Sequence, residues 1–96
     1  MATEETIIKH QVKLALSMVP GCFFYYNLAG IGAFKGISDI VAIKDGIYYG
    51  FEIKTPKGKQ SEYQKEFQIE VEAAGGKYFI ITEPEQILDI FHIKYK

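Results

Sequence analysis

Ser38-Asp39-Ile40-Val41-Ala42-Ile43-Lys44-Asp45-Gly46-Ile47-Tyr48-Tyr49-Gly50-Phe51-Glu52-Ile53-Lys54 is the stretch whose reading decides the fold. Asp45-Gly46 is a strong two-residue hairpin signal, because both residue types tolerate the positive φ that a type I′ turn demands. The residues on either side, 40–43 and 47–51, are mostly β-branched or aromatic and suit strands. With a two-residue turn, Asp39 lies directly opposite Glu52, and both side chains share one face of the hairpin. Lys54 follows Glu52 by two and joins that face. A three-residue loop at 44–46 would instead move Asp39 off it. Facing carboxylates repel each other and weaken a sheet. The pair makes sense with a divalent cation between the two acids and a lysine at its side.

Ninety-six residues fit a single domain, 1–96, whose modest core would gain from association or a ligand. No apolar run approaches the length of a membrane span, and Met1-Ala2-Thr3-Glu4-Glu5 is not a signal peptide. No membrane role is expected. Cys22 is the sole cysteine, so an internal disulfide is excluded, a reducing cytoplasm fits, and a buried structural thiol is the expectation. The net charge of -1 carries no global signal for nucleic acid. Distribution says more: Lys54, Lys57 and Lys59 follow the hairpin, and Lys35 falls in the glycine-rich loop before it. Lys35, Lys57 and Lys59 form a basic rim compatible with phosphate binding.

Working outward, Thr3 can cap a first helix reaching about Met18, with Glu4 and Glu5 in the first turn, where the helix dipole favours acids. Its apolar stripe is Ile8, Val12, Ala15, Leu16 and Val19, and Pro20-Gly21 ends it. Residues 22–28 read as a strand and 30–36 as a loop. The hairpin strands span about 39–44 and 47–55, apolar on both faces and therefore central and buried. After the loop Pro56-Lys57-Gly58-Lys59, Ser61 opens a second helix, with Gln64 placed to complete a capping box. Tyr63, Phe67, Val71 and Ala74 make its stripe, and Gly75-Gly76 ends it. Residues 78–81 form a short strand, and Thr82, Pro84 and Glu85 start a last helix reaching about Phe91. The order α-β-β-β-α-β-α, with a strand–helix–strand crossover, predicts a small mixed β-sheet flanked by helices, its last strand parallel to the second hairpin strand.

Glu5 is a third acid of interest. It lies near the centre of the first helix's core-facing stripe, where a carboxylate needs a partner or a ligand. A frayed, partly solvated first turn is the competing reading. Hard oxygen ligands without His or Cys suit Mg²⁺ or Mn²⁺, not Zn²⁺. Carboxylate-held magnesium with a neighbouring lysine is suited to phosphodiester hydrolysis. The segment Gly30-Ile31-Gly32-Ala33-Phe34-Lys35-Gly36 is neither a dinucleotide fingerprint nor a P-loop, and no organic cofactor is expected. Tyr25 and Tyr26 could stack on bases, but alternating aromatics in a strand are more often core and dimer surface. His10 and His92 lack ligand spacing and decorate helix surfaces.

Asp39, a hairpin gap and then Glu52-Ile53-Lys54 resemble the PD-(D/E)xK nuclease core, with Ser38 in place of the usual proline. Gly36-Ile37-Ser38-Asp39-Ile40, Gly50-Phe51-Glu52-Ile53-Lys54, Gly58-Lys59, Ser61, Gln64 and Gly75-Gly76-Lys77-Tyr78 resemble its VRR-NUC branch more narrowly. The likeness covers nearly the whole chain and includes a helical acid at Glu5. It implies a restriction-endonuclease-like α/β core, and metal held by Glu5, Asp39, Glu52 and the Ile53 carbonyl. It also implies that Lys54 is the catalytic lysine and that Gln64 reaches the site from the second helix. By the same resemblance the substrate is DNA, with branched, flapped or four-way junction forms expected. The working unit would be a homodimer, and the setting a bacterial or phage-type host cytoplasm. Hydrolysis of RNA is a further expectation from the same chemistry. A non-catalytic nucleic-acid-binding or assembly module with a structural ion-pair network is the competing one.

Overall fold

The Asp45-Gly46 turn forms as the sequence predicts, with φ of 54° and 77° at the two central residues. Such a turn matches the right-handed twist of the strands it joins. In the computed structural model, which describes residues 3–27 and 35–94, the chain runs α1 (Glu4–Ser17), β1 (Cys22–Tyr26), β2 (Ile40–Lys44), β3 (Ile47–Ile53), α2 (Glu62–Ala73), β4 (Lys77–Ile81) and α3 (Glu85–Ile90). The four strands make one mixed sheet in the order β1-β2-β3-β4. The first two pairings are antiparallel and β3/β4 is parallel, so α2 is the crossover between parallel strands. Hairpin partners run from Lys44↔Ile47 to Ile40↔Phe51, the register of a two-residue turn.

That register sorts the side chains onto two faces. Ile40 and Ala42 of β2, Phe51 and Ile53 of β3 and Ile81 of β4 point to one side. There they meet Ile8, Val12, Ala15 and Leu16 of α1, Ile87 and Leu88 of α3, and Phe91 just beyond it. The Phe91 ring lies 4.7 Å from Tyr49 and 6.2 Å from Phe51, which closes the end of this core. The α1 stripe expected from helical spacing, Val19 included, is buried as a set. Thr3 caps α1 by accepting the Thr6 N–H.

The opposite face carries Tyr48, Gly50 and Glu52 of β3 and Tyr78 of β4. Here α2 is the cover, with Phe67 packed edge-on against Tyr78 at 6.2 Å. The cover is partial, and three expectations are corrected by it. The hairpin strands are central but not buried on both faces, because α2 lies over β3 and β4 and leaves Ile43 of β2 exposed. Tyr63 and Ala74 are exposed instead of part of a buried stripe, so Phe67 is the buried contact among the described residues of α2. Cys22 is half-buried against the core edge, not enclosed. Smaller differences lie at element ends. β3 stops at Ile53, yet the Lys54 N–H still donates to the Ile81 carbonyl at 3.0 Å. Strand β1 ends at Tyr26; the expected continuation to Leu28 and most of the 30–36 loop lie outside the described residues.

Gly36 fixes how the chain re-enters the sheet. Its φ is 78°, and a β-carbon there would collide with the Tyr63 carbonyl and the Gln64 N–H at the start of α2. Only glycine permits both the conformation and the approach. The segment leading to Asp39 is thereby seated on the first turn of α2. Gly36→Ala should therefore lower unfolding free energy by at least about 2 kcal/mol. Urea denaturation checks this, and a midpoint equal to the parent's would show that the contact is dispensable.

Candidate active site

The β2/β3 ladder stops one residue short of Asp39 and Glu52. In a continued ladder, Ile53 would exchange main-chain bonds with Ser38. Instead the Ile53 N–H donates to Asp39 Oδ2 at 2.8 Å. The Ser38 carbonyl turns away to accept from Asn27 Nδ2 at 2.8 Å, while the Asn27 N–H donates to the Asp39 carbonyl at 2.9 Å. Asn27 thus holds the carbonyls on both sides of the Asp39 α-carbon. The Asp39 carboxylate occupies the gap where the strands part. The Ile53 carbonyl, which faces the same side of its strand as its N–H, lies beyond the last ladder pair.

Glu52 sits next to this gap and is only 4% exposed. Its Oε1 has no hydrogen-bond partner. Burial pushes its carboxyl up from 4.5 to about 8. The Asp39 carboxyl adds to this by hydrogen bond and by like charge, and the Glu5 charge adds a little more; the Lys54 ammonium works the other way. The two facing acids are therefore close neighbours, as the hairpin register requires. Lys54 is half-buried, and its stem packs on Gly58.

Below Glu52, Ser38 is fully buried over Gly50 beside Tyr48, and Tyr78 is buried on β4 beside Gln60; neither hydroxyl has a close, well-aligned hydrogen bond. Burial pushes the Tyr78 hydroxyl up to about 12, a nearby Gln60 side chain opposes the shift, and the charges of Glu52 and Asp39 reinforce it. Three buried polar atoms on one sheet face, each beside another polar side chain but not firmly bonded to it, make this a polar patch that costs stability unless something satisfies it.

Glu5 lies in the first turn of α1 and is half-exposed, its Oε1 3.8 Å from Lys9 Nζ. The same ammonium is 3.5 Å from Asp39 Oδ1. Both readings of Glu5 therefore hold in part: it is solvated in the first turn, and it is paired. Lys9 was not legible as a site residue; its only sequence signal is the i,i+4 spacing from Glu5. Asn27 and Tyr78 were likewise missed, since a lone Asn at a strand end and a strand tyrosine have commoner explanations. Among the described residues no three His, Cys, Asp or Glu side chains are gathered closely enough to hold an ion. Lys9 lies between Glu5 and Asp39, and Asp39 Oδ2 is turned to the Ile53 N–H.

The donor set nonetheless fits a hard divalent cation. Asp39 and Glu52 are neighbouring carboxylates, Asp39 Oδ2 reaches the main chain at Ile53, and the donors are oxygens, the kind that suit Mg²⁺ or Mn²⁺. Gln64 is committed at its Oε1, which accepts the Ser61 N–H at 2.8 Å while the Gln64 N–H donates to Ser61 Oγ at 3.1 Å. The predicted capping box is formed in full. Lys35 lies over the Tyr63 ring at 4.9 Å, an exposed cation–π contact. Lys57 and Lys59 are exposed on the loop after β3.

No family model matches this chain, and no curated protein matches it. Among solved structures, a VRR_NUC domain has a TM-score of 0.77 with it, at 20% sequence identity, covering 98% of this chain and 100% of that chain. The small mixed sheet with three helices, in the order α-β-β-β-α-β-α, is therefore the fold of a VRR_NUC domain. No helix among the described residues is long and apolar enough to cross a membrane.

The state of Glu52 has a measurable consequence. Its folded pKa lies above its unfolded value, so the stability it confers is full below about pH 4.5 and is lost as pH rises through about 8. In EDTA, the parent should melt at a lower temperature at pH 8 than at pH 5. Glu52→Gln should flatten that dependence and melt higher than the parent at pH 8. Equal slopes in calorimetry for the two proteins would show that Glu52 is not the strained group.

Proposed function

We propose that this protein is a divalent-metal-dependent DNA endonuclease selective for branched or four-way junction substrates. The observation that carries the reading is the buried Glu52 carboxylate, which has a partnerless oxygen, faces Asp39 and has Lys54 beside it. Burying Glu52 beside Asp39 disfavours its charged form unless a cation joins the pair. Glu52, Asp39, the Ile53 carbonyl and Glu5 would hold Mg²⁺ or Mn²⁺. When bound, the ion supplies Lewis-acid polarisation of the phosphodiester and neutralises charge on the leaving oxygen. Lys54 presents its ammonium beside Glu52, where it orients the attacking water and offsets charge developing on phosphate. Water adds to phosphorus, and one ester P–O bond breaks. Gln64, at the head of α2, keeps its amide nitrogen available while its oxygen holds the cap. Lys35, Lys57 and Lys59 surround this end of the sheet and would track the nucleic-acid backbone through salt-sensitive phosphate contacts. The likeness in fold to a VRR_NUC domain supports the assignment. A cytoplasmic setting agrees with the single free cysteine.

The working unit of this proposal is a homodimer. Phe23, Tyr25 and Ile43 are exposed on the sheet face that α2 leaves uncovered, and Phe23 is 63% exposed. A groove of about 380 Å³ lined by Tyr48, Phe67, Val71, Ala74 and Gly76 extends the apolar surface along α2. A contiguous apolar surface on a small chain marks an association site. Two sites related by a two-fold axis would suit a branched substrate.

One observation favours a second reading. The Lys9 ion pairs with Glu5 and Asp39 are those of a structural network, as in a non-catalytic nucleic-acid-binding module. Cleavage separates the two. Linear duplex, single strand, flap and four-way junction DNA, with RNA alongside, should be incubated with the protein in Mg²⁺, Mn²⁺ or EDTA. We expect metal-dependent cutting, fastest on branched DNA, with Glu52→Gln and Lys54→Met each reducing the rate by about 10²-fold or more while remaining folded. Binding without cutting, unchanged by EDTA, would select the structural module. In light scattering after gel filtration, the parent should be a dimer and the double variant Phe23→Glu, Ile43→Glu a monomer. A monomeric parent at micromolar concentration would remove the dimer from the proposal.

A further inference from the structure

Lys9 projects from α1 one turn beyond Glu5, and its ammonium reaches carboxylates on two separate elements: Glu5 Oε1 at 3.8 Å and Asp39 Oδ1 at 3.5 Å. Its main chain is anchored there, because the Tyr26 hydroxyl donates to the Lys9 carbonyl at 3.2 Å. The next lysine on the same side of the helix, Lys13, lies instead over the Tyr26 ring at 5.8 Å. An isolated exposed ion pair is worth little. Lys9 differs because it bridges two acids, and one of them, Asp39, also neighbours the buried Glu52. Asp39 Oδ2 is already held by the Ile53 N–H, which leaves Oδ1 as the oxygen turned to the open side, and Lys9 covers it.

We propose that Lys9 is the internal counter-ion of the metal-free site, a positioning residue that competes with the divalent cation for Glu5 and Asp39. The inference rests on the metal-binding reading above and adds a residue and an antagonism to it. In the absence of metal, the ammonium keeps Glu5 of α1 and Asp39, just before β2, together. On metal binding it leaves, which its four-carbon stem and a side chain already one-third exposed allow. Two cations cannot occupy the same pair of oxygens at short range, so the order of events is exchange, not addition.

The test is Mn²⁺ binding by isothermal titration calorimetry at pH 8, with melting temperatures in EDTA, for the parent, Lys9→Met, Lys9→Arg and Lys13→Met. An ammonium this close favours a carboxylate's charged form by about one to three pKa units, a competing cation must displace that attraction, and partial exposure places Lys9 at the low end. Lys9→Met should therefore bind Mn²⁺ about tenfold tighter than the parent and melt lower in EDTA, with that gap closing as Mn²⁺ saturates. Lys9→Arg should restore parental behaviour in both readouts, and Lys13→Met should match the parent. If Lys9→Met is unfolded in EDTA, recovery of the fold by Mn²⁺ supports the exchange, and failure to recover overturns it in favour of a purely structural lysine. Equal or weaker Mn²⁺ binding by Lys9→Met, with the parent binding normally, overturns this inference alone. No Mn²⁺ binding by any of the four proteins overturns it together with the metal-dependent function.

Discussion

The carboxylate of Asp39 accepting the Ile53 N–H is the contact on which the arrangement of this end of the molecule depends. It substitutes a side chain for the next rung of the hairpin ladder. The strands can then part without leaving the Ile53 N–H unsatisfied, which inside a sheet would cost as much as a lost hydrogen bond. Parting does three things at once. It frees the Ile53 carbonyl from its ladder partner, turns Ser38 toward Asn27, and brings Asp39 within reach of both Glu52 and α1. One hydrogen bond thereby converts the end of an ordinary β-hairpin into a cluster of oxygen atoms.

The two faces of the sheet divide the remaining work. The face under α1 and α3 holds the aliphatic and aromatic core and supplies the burial that makes the domain stable. The face under α2 is only partly covered and carries the polar residues, Glu52, Ser38 and Tyr78 among them. Their burial is a cost that the core must offset. Proteins tolerate such loosely bonded groups where a ligand is to be bound, and this is the physical link between the strain at Glu52 and the chemistry proposed for it. Lys9 extends the same logic to the metal-free state, since it places a mobile positive charge against the most exposed oxygens of the cluster.

Much of this was legible in the chain. Asp45-Gly46 specified the turn, the turn specified the register, and the register placed Asp39 opposite Glu52. The α1 stripe and the Ser61/Gln64 capping box were equally plain, because each is a local pattern whose physics acts within a few residues. The less legible features all involve contacts between distant segments. Nothing near Tyr63 says that its ring stays outside under Lys35, because that depends on how little of the sheet α2 covers. Nothing near Asn27 says that it will clamp residues 38 and 39, because the partners are main-chain atoms brought alongside by β1/β2 pairing.

By itself, then, the sequence determined the order of elements, the hairpin register and the identity of the facing acids, because turn chemistry and side-chain periodicity are short-range. Tertiary structure decided the rest: that Glu52 is buried enough to hold its proton into the neutral range, that Asp39 turns into the gap between strands, and that Lys9 rather than Lys54 makes the close ion pairs. Burial and charge proximity depend on which elements pack together, and that is a property of the folded whole, absent from any single stretch of chain.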